Sequence, residues 1–236
     1  ALALNPYSDN PNAHDFSEFH MGYQLSSSSS STGFDRNYDD GGSFSMAAAY
    51  LTRGSGPVYE WQAPYENISS ASYGSFTPAL KVNEIIFIPE RKNALDNQAI
   101  KQAVIDYGAV SASYLSADEY YSNDQTSFYL PDDYDAGRAP AGSAPVVSTQ
   151  HAIAIVGWDD DYAKENFPVQ PAGNGAFLCK NSWGKDFADN GYFYISYYDG
   201  FLGMQEFSMA FGKVSDDNTY SRIYQYDPLG ATTAFG

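Results

Sequence analysis

Cysteine is almost absent from this chain: its 236 residues include one, Cys179. A single cysteine cannot form a disulfide within the chain, so the sequence is unlike the small secreted domains that depend on several disulfides. Stability must therefore come from a packed core. The hydrophobic content of 43% and the aromatic content of 17% are sufficient for a sizeable one.

Basic residues are also scarce, with 12 Lys and Arg against 29 Asp and Glu, which gives a formal net charge of −17. There is no basic stripe that could neutralise phosphates, so nucleic acid is excluded as a partner. The same argument excludes an anionic membrane surface. The charge fits a soluble protein that works outside the cell or at its surface.

Long apolar runs are missing as well. No segment approaches the roughly 18 apolar residues of a membrane span, so membrane insertion is not expected. The segment Ala1–Leu4 is too short to be the apolar part of a signal peptide. Its residues favour a helix that Asn5-Pro6 would end, so the chain is interpreted as starting at the end of a helix.

The pattern of the sequence changes from helical to strand-like after Pro64-Tyr65. A helical first portion is predicted for residues 1–72, with helices starting near Glu18 and Ser43. A β-rich portion is predicted for 73–211, with one amphipathic helix at 97–107. Its predicted strands are 82–88, 108–114, 151–158, 176–181 and 191–198. Residues 212–236 are interpreted as a tail that leads to a further domain.

Two strand-like segments each contain one polar residue that is suited to thiol chemistry. His151 opens HAIAIVGW, and Asn181 lies in LCKNSWG, which is followed by the strand GYFYISYYD. A thiol protease needs a thiolate, an imidazole that moves protons, and a polar group that orients the imidazole. An amide oxygen can accept the ring N–H and set the tautomer. Trp183 is expected to screen that hydrogen bond from water.

These segments, in this order and spacing, resemble the papain family of cysteine proteases. Phe16-Ser17-Glu18 is similar to the family's (L/Y)-S-E segment, and Gly41-Gly42 is similar to the paired glycines that form one wall of its substrate groove. Ala109-Val110-Ser111 resembles its P-V-S-V strand. The resemblance extends over most of residues 16–211.

The resemblance implies an α+β, papain-like two-lobed fold, with a helical left lobe and a β-barrel right lobe. It implies a cysteine endopeptidase that hydrolyses protein or peptide substrates through an acyl-enzyme, with neither a cofactor nor a metal. His151 would be the general base and acid, and Asn181 would orient it. Gly41, Gly42 and Gln150 would bind substrate, because a substrate backbone can lie close to an exposed glycine main chain.

The family's nucleophile is not found where the resemblance places it. In the family, a glutamine and then the nucleophilic cysteine precede the S-E segment by more than the 16 residues that stand before Ser17 here. Both would fall before Ala1, so the central helix is expected to be missing, or most of it. Cys179 lies in an apolar strand and is predicted to be buried and inert.

Three explanations for the missing nucleophile stay open. The chain is a fragment of an ordinary protease, or one part of a nicked enzyme whose Cys-bearing N-terminal segment stays bound, or a protein that has lost its nucleophile. In each case the chain alone is predicted to be inactive. The acidic loops and the tail at 222–230 look most like bacterial cell-surface members, in which a lectin-like domain follows the protease.

Other functions are compatible with some of the same residues. The 21 Tyr and 3 Trp would suit a binding module for cell-wall glycan or protein, which needs neither His151 nor Asn181, although strand-rich folds use Tyr generously. A glycosidase needs only two carboxylates, a weak signal among so many. Asp159–Asp161 lacks the spaced ligands and glycine of a calcium loop. His14 and His20 have no partner at metal-like spacing, so no role is assigned to them.

Overall fold

The computed structural model describes residues 14–26, 33, 36–37, 40–65, 76–134, 148–204 and 206–215. The chain separates into two compact units, Ala1–Ile85 with Phe211–Gly236, and Ile86–Ala210. The predicted boundary at residues 72–73 lies outside the described residues, as do the helix end at 1–4 and the tail segment at 222–230. In the described part, no helix has the length and apolar character needed to cross a membrane.

Three α-helices, nine strands and two short 3₁₀ helices (Asp118–Tyr120 and Lys164–Asn166) make up the regular structure of the described residues. In chain order the α-helices and strands are α1 (Glu18–Gln24), α2 (Phe44–Thr52), β1 (Lys81–Val82), β2 (Ile85–Ile88), α3 (Gln98–Tyr107), β3 (Val110–Ala117), β4 (Ser127–Phe128), β5 (Ser148–Asp159), β6 (Ala176–Lys180), β7 (Tyr192–Ser196), β8 (Ser208–Phe211) and β9 (Val214–Ser215).

Both helices of the first unit start where the sequence predicts, because a serine caps each of them. Ser17 Oγ accepts a hydrogen bond from the His20 N–H at 3.0 Å, and Ser43 Oγ accepts one from the Met46 N–H at 3.4 Å. Such caps satisfy backbone donors that have no partner in the first turn of a helix. The two helices pack together through Leu25, Met46 and Tyr50, all of which are buried.

The prediction of one strand at 82–88 is wrong: the segment forms two strands in two sheets. β1 pairs antiparallel with β9 in a two-stranded sheet, whereas β2 is an edge strand of a seven-stranded sheet. Between them, the Asn83 N–H donates to the Lys213 carbonyl at 2.7 Å. Hydrophobic patterning shows that a segment is extended, but it does not show which strand lies beside it.

The second unit is built on the seven-stranded mixed sheet, with the order β2-β8-β3-β5-β6-β7-β4. β5 is antiparallel to both β3 and β6, and β4 is parallel to β7. α3 packs on this sheet through Ile100 and Val104, and it ends at Gly108, whose φ of 85° suits glycine. The centre of the core consists of fully buried apolar residues: Val110, Ala112, Phe128, Ile155, Phe177 and Ile195.

Candidate active site

The pairing of three neighbouring strands brings His151, Asn181 and Trp183 together in the second unit. His151 lies in β5, opposite Tyr114 of β3. β5 also pairs with β6, where Ala154 is opposite Lys180. Continuing that antiparallel register beyond β6 puts residue 181 opposite 153 and residue 183 opposite 151. The sheet therefore holds residues that are 30 or more positions apart in sequence on adjacent strands.

His151 and Asn181 are joined by a hydrogen bond of 2.9 Å between Nε2 and Oδ1. The Ser182 backbone N–H donates to the same Oδ1 at 2.7 Å, and this identifies that atom as the amide oxygen. Since the oxygen can only accept, His151 Nε2 must carry the proton. No described residue makes a hydrogen bond to His151 Nδ1, so this nitrogen remains available to accept a proton.

Trp183 covers the imidazole of His151. The two ring centroids are 4.9 Å apart and the ring planes differ by 32°. The indole is held in turn by Phe187, whose ring is perpendicular to it at 4.8 Å. One face of Trp183 remains in water, since 44% of the residue is exposed. An apolar cover of this kind strengthens the hydrogen bond beneath it by lowering the local dielectric.

Two tyrosines below the imidazole were missed by the sequence reasoning. The Tyr114 ring meets His151 edge-on at 5.9 Å, and the Tyr121 ring lies 6.2 Å from Trp183. Alternation along β3 could have indicated that Tyr114 faces inward. Tyr121 follows a short 3₁₀ turn at Asp118–Tyr120, and nothing in the local sequence indicated its place.

The remaining residues predicted to bind substrate lie at the surface. Gln150 precedes His151 and is exposed, and its Nε2 donates to Ser113 Oγ at 3.4 Å. Gly41 and Gly42 belong to the first unit, where both are exposed. They border a cavity of about 350 Å³ whose apolar lining includes Met21 and Met46.

Cys179 has the surroundings of a structural residue. It is fully buried in β6, and its thiol points at the Phe177 carbonyl oxygen, 3.6 Å away. Burial raises the pKa of the Cys179 thiol well above its ordinary value, so the thiolate is disfavoured. A thiol that neither ionises nor meets water cannot attack a peptide bond.

Cys179 is therefore expected to resist a neutral thiol-specific reagent in the native protein and to react fully once guanidinium unfolds the chain. The reason is that reaction requires an opening of β6, and a core strand opens rarely. The measurement is the time course of thiol labelling with and without denaturant. Native labelling as fast as that of the unfolded chain would contradict this picture of a closed strand.

Asp160 and His20, which could suggest metal binding, have other contacts, whereas neither ring nitrogen of His14 has a hydrogen-bond partner among the described residues. Among the described residues, no group of three or more His, Cys, Asp or Glu is arranged to hold a metal ion. Asp160 forms an ion pair with Lys101 and accepts a hydrogen bond from the Tyr197 hydroxyl at 2.8 Å. His20 is buried, with its Nδ1 2.7 Å from the Tyr50 hydroxyl.

Comparison with known proteins gives a family match and two close structural matches. Residues 29–210 match the family described as papain family cysteine protease. The cysteine protease and lectin-like domains of Cwp84, a surface layer associated protein of Clostridium difficile, are 31% identical with a TM-score of 0.71, over 96% of this chain and 47% of that one. A cysteine-to-alanine variant of clostridial Cwp84 after propeptide cleavage is 30% identical with a TM-score of 0.73, over 98% and 53%.

More distant structures share the fold. Procathepsin L 3 of Tenebrio molitor larval midgut is 20% identical, with a TM-score of 0.56, over 89% of this chain and 58% of that one. No curated protein matches the chain. The chain spans about half the length of the two Cwp84 structures. The family match covers most of the sequence, and the α+β architecture with its large mixed sheet agrees with it. The chain belongs to the papain family of cysteine proteases.

Proposed function

We propose that this chain is part of a cysteine endopeptidase, in which His151 transfers protons and Asn181 orients it. The observation that carries the proposal is the 2.9 Å hydrogen bond from His151 Nε2 to Asn181 Oδ1, lying beneath Trp183. This bond fixes the proton on one nitrogen and leaves Nδ1 as the base. A cysteine protease needs an imidazole in this state before it can form a thiolate–imidazolium pair.

The reaction divides into two proton-balanced steps. His151 Nδ1 takes the proton of a cysteine thiol as the sulfur attacks the substrate carbonyl carbon. The same proton then passes to the leaving amine as the C–N bond breaks, which leaves a thioester. In the second step Nδ1 takes a proton from water as the water oxygen attacks the thioester carbonyl carbon. The C–S bond then breaks, and the departing thiolate takes the proton back from Nδ1. Asn181 holds the ring in place throughout.

We propose that a cysteine outside these 236 residues provides the sulfur, on an N-terminal segment of the same protein. Two observations support this. The chain contains a single cysteine, and Cys179 is fully buried with its thiolate disfavoured. The Cwp84 structures, which are longer than this chain, are those of a cysteine protease associated with a surface layer. An extracellular or cell-surface location for this protein follows by the same analogy.

Gly41 and Gly42 fit the role of contacts for a peptide backbone. A Cβ at position 42 would meet no protein atom within 4 Å, so packing within the chain does not require glycine there. At position 41 the φ of 67° does favour glycine. An extended substrate lying close to the main chain would account for glycine at position 42.

The pure 236-residue chain is expected to hydrolyse no peptide, because its only thiol is buried. A matched sample extended at its N-terminus to include the predicted Gln and Cys is expected to be active. Fluorogenic peptides measure both samples. An epoxide that alkylates papain-like nucleophiles, followed by intact mass spectrometry, locates the reactive thiol. Hydrolysis by the pure short chain, abolished by His151→Ala, would overturn the proposed source of the nucleophile.

One observation favours the second candidate, a non-catalytic module that binds cell-wall glycan or protein. In the first unit the rings of Phe16 and Tyr59 stack at 5.4 Å, and those of Tyr59 and Trp61 stack at 6.3 Å. Trp61 is 78% exposed, and an exposed, supported indole suits an apolar partner surface. Binding of this kind would be unaffected by His151→Ala, whereas proteolysis requires the imidazole.

A further inference from the structure

Four rings at the candidate site form a closed set of contacts, which we call the aromatic cycle: His151, Trp183, Tyr121 and Tyr114. His151 lies against Trp183 at 4.9 Å, and Trp183 contacts Tyr121 at 6.2 Å. The Tyr121 and Tyr114 hydroxyls are hydrogen-bonded to each other. Tyr114 returns to His151 at 5.9 Å. Three of the links are ring contacts and one is a hydrogen bond.

The hydroxyl link lies deep in the second unit. Tyr114 is 1% exposed and Tyr121 is 8% exposed. Ser116 Oγ lies 3.2 Å from the Tyr121 hydroxyl, so the three hydroxyls form one chain of hydrogen bonds. Burial raises the pKa of both tyrosines, which keeps the hydroxyls neutral and able to donate. Chains of this kind in a low dielectric fix the geometry of their members.

The two sides of the cycle differ in burial and in the elements that carry them. Tyr114 belongs to β3, and its ring also packs edge-on against Phe128 at 5.1 Å. Trp183 lies beyond the end of β6 and is 44% exposed. The Tyr121 ring also packs on Phe128 and Phe187, at 4.6 and 6.0 Å. Its hydrogen bond to the Tyr114 hydroxyl joins this packed ring to the strand residue that contacts His151.

We propose that Tyr114 is a positioning residue for His151, acting through the hydroxyl bond that closes the aromatic cycle. The Tyr114 ring contacts the imidazole directly. Its hydroxyl adds a hydrogen bond to the packing that keeps Tyr121 against Trp183, the residue that covers the imidazole. The proposal deepens the proposed function and rests on it. A base that rotates away from Asn181 loses the fixed tautomer, and small errors in the position of a reacting group lower the rate strongly.

The test compares Tyr114→Phe with a matched control, Tyr197→Phe. Tyr197 is also buried, and its hydroxyl also makes one hydrogen bond, to Asp160 at 2.8 Å. No described contact joins Tyr197 to His151. Each variant loses one hydroxyl and keeps its ring, but only the Tyr114 ring contacts His151.

The first readout is the ¹⁵N NMR spectrum of His151 in the 236-residue chain, which reports the tautomer without requiring activity. We expect one tautomer, with the proton on Nε2, in the unmodified chain and in Tyr197→Phe. In Tyr114→Phe the two nitrogen shifts should move toward each other as the second tautomer is populated. Identical spectra for the two variants would overturn the proposal.

The second readout is hydrolysis by protein that also carries the nucleophile. Tyr114→Phe is expected to lower kcat roughly three- to tenfold with KM unchanged, because the substrate contacts are intact. Tyr197→Phe is expected to change neither. Equal losses in the two variants would contradict a positioning role. If hydrolysis proved independent of His151, the proposed function would fail, while the NMR comparison would still decide whether Tyr114 orients the ring.

Discussion

Replacement of His151 by alanine, in protein that also carries the nucleophilic cysteine, is expected to lower kcat by roughly 10³–10⁴-fold. The imidazole has two roles: it takes the proton of the thiol, and it protonates the leaving amine. No other imidazole is available in the described part of the second unit, since His14 and His20 both belong to the first. KM should change little, because the ring contributes little to ground-state binding.

Asn181→Ala should cost less, about 10–10²-fold in kcat, because the base remains present while its orientation and tautomer are no longer fixed. The neighbouring backbone N–H of Ser182, which donates to Asn181 Oδ1 at 2.7 Å, also loses its acceptor. The order of the two losses is the informative result. A larger effect for Asn181→Ala than for His151→Ala would mean that Asn181, rather than the imidazole, carries the reaction.

Lys185→Ala is the matched control for both variants. Lys185 lies on the same loop as Trp183, with its side chain 84% exposed, and its ion pair is with the adjacent Asp186, which is also exposed. Exposed ion pairs of this kind contribute little to stability. Steady-state kinetics on a fluorogenic peptide, with circular dichroism to confirm folding, would measure all three. Retention of more than about a tenth of wild-type kcat by His151→Ala would rule out its assignment as the base.

Asp199→Ala is expected to destabilise the second unit by roughly 3–5 kcal/mol. Asp199 is fully buried. One carboxylate oxygen accepts the backbone N–H groups of Phe201 and Leu202, at 3.0 and 2.8 Å, and the other accepts that of Leu130, at 2.9 Å. Alanine would leave three donors without acceptors, of which those of Leu130 and Leu202 are buried. Each such donor costs about 1–3 kcal/mol when it stays unsatisfied.

The same carboxyl makes stability depend on pH. Burial raises the pKa of Asp199 to about 6, against hydrogen bonds from Leu130, Leu202 and Phe201 and the nearby Arg91, which lower it. A raised pKa means that the folded state binds the proton more tightly than the unfolded state. The contribution that proton binding to Asp199 makes to the free energy of unfolding is therefore fully present below pH 3.8. It is lost as the pH rises through about 6.

His20 in the first unit has the opposite dependence. Burial, assisted by the nearby Arg53, lowers the pKa of His20 to about 4. The unfolded state then binds the proton more tightly, so the stability from neutral His20 is present above pH 6.5 and is lost as the pH falls through about 4. Acidification from about pH 7 to about pH 5 should weaken the first unit and strengthen the second.

Hydrogen exchange with mass spectrometry separates the two effects, because it reports opening segment by segment. The pH-dependent protection near β7 should disappear in Asp199→Asn, and that near α1 should disappear in His20→Gln. Rates must be corrected for the intrinsic pH dependence of exchange at each amide. A change of protection with the same sign in both units, in the unmodified chain, would contradict the assignment of the two shifts.

Local patterning was sufficient for the elements that carry the site. Strands predicted at 151–158, 176–181 and 191–198 correspond to β5, β6 and β7, with ends displaced by at most three residues. Each is an apolar run bounded by turn residues, so the local sequence is sufficient to predict that it is buried. Ser17 and Ser43 marked helix starts for a similar reason, since a cap is made by residues three positions apart.

Local patterning did not predict which distant segments pair as strands or which distant side chains are in contact. Residues 82–88 have the pattern of one strand, yet β1 pairs with β9 and β2 belongs to the large sheet. Tyr114 and Tyr121 were not recognised because their importance depends on His151 and Trp183, which are more than 30 positions away. Contacts between residues so far apart cannot be inferred from a single sequence.

The sequence by itself predicted the kind of chemistry, because a histidine within one apolar strand and an asparagine just beyond another, with a tryptophan nearby, suit thiol proteolysis. It also predicted that Cys179 is buried, since this residue lies within an apolar run, and the structure confirms the burial. Only the tertiary structure decided which nitrogen of His151 holds the proton and which rings hold the imidazole. Those properties depend on distances between strands, and strand register is set by cooperative packing of the whole sheet.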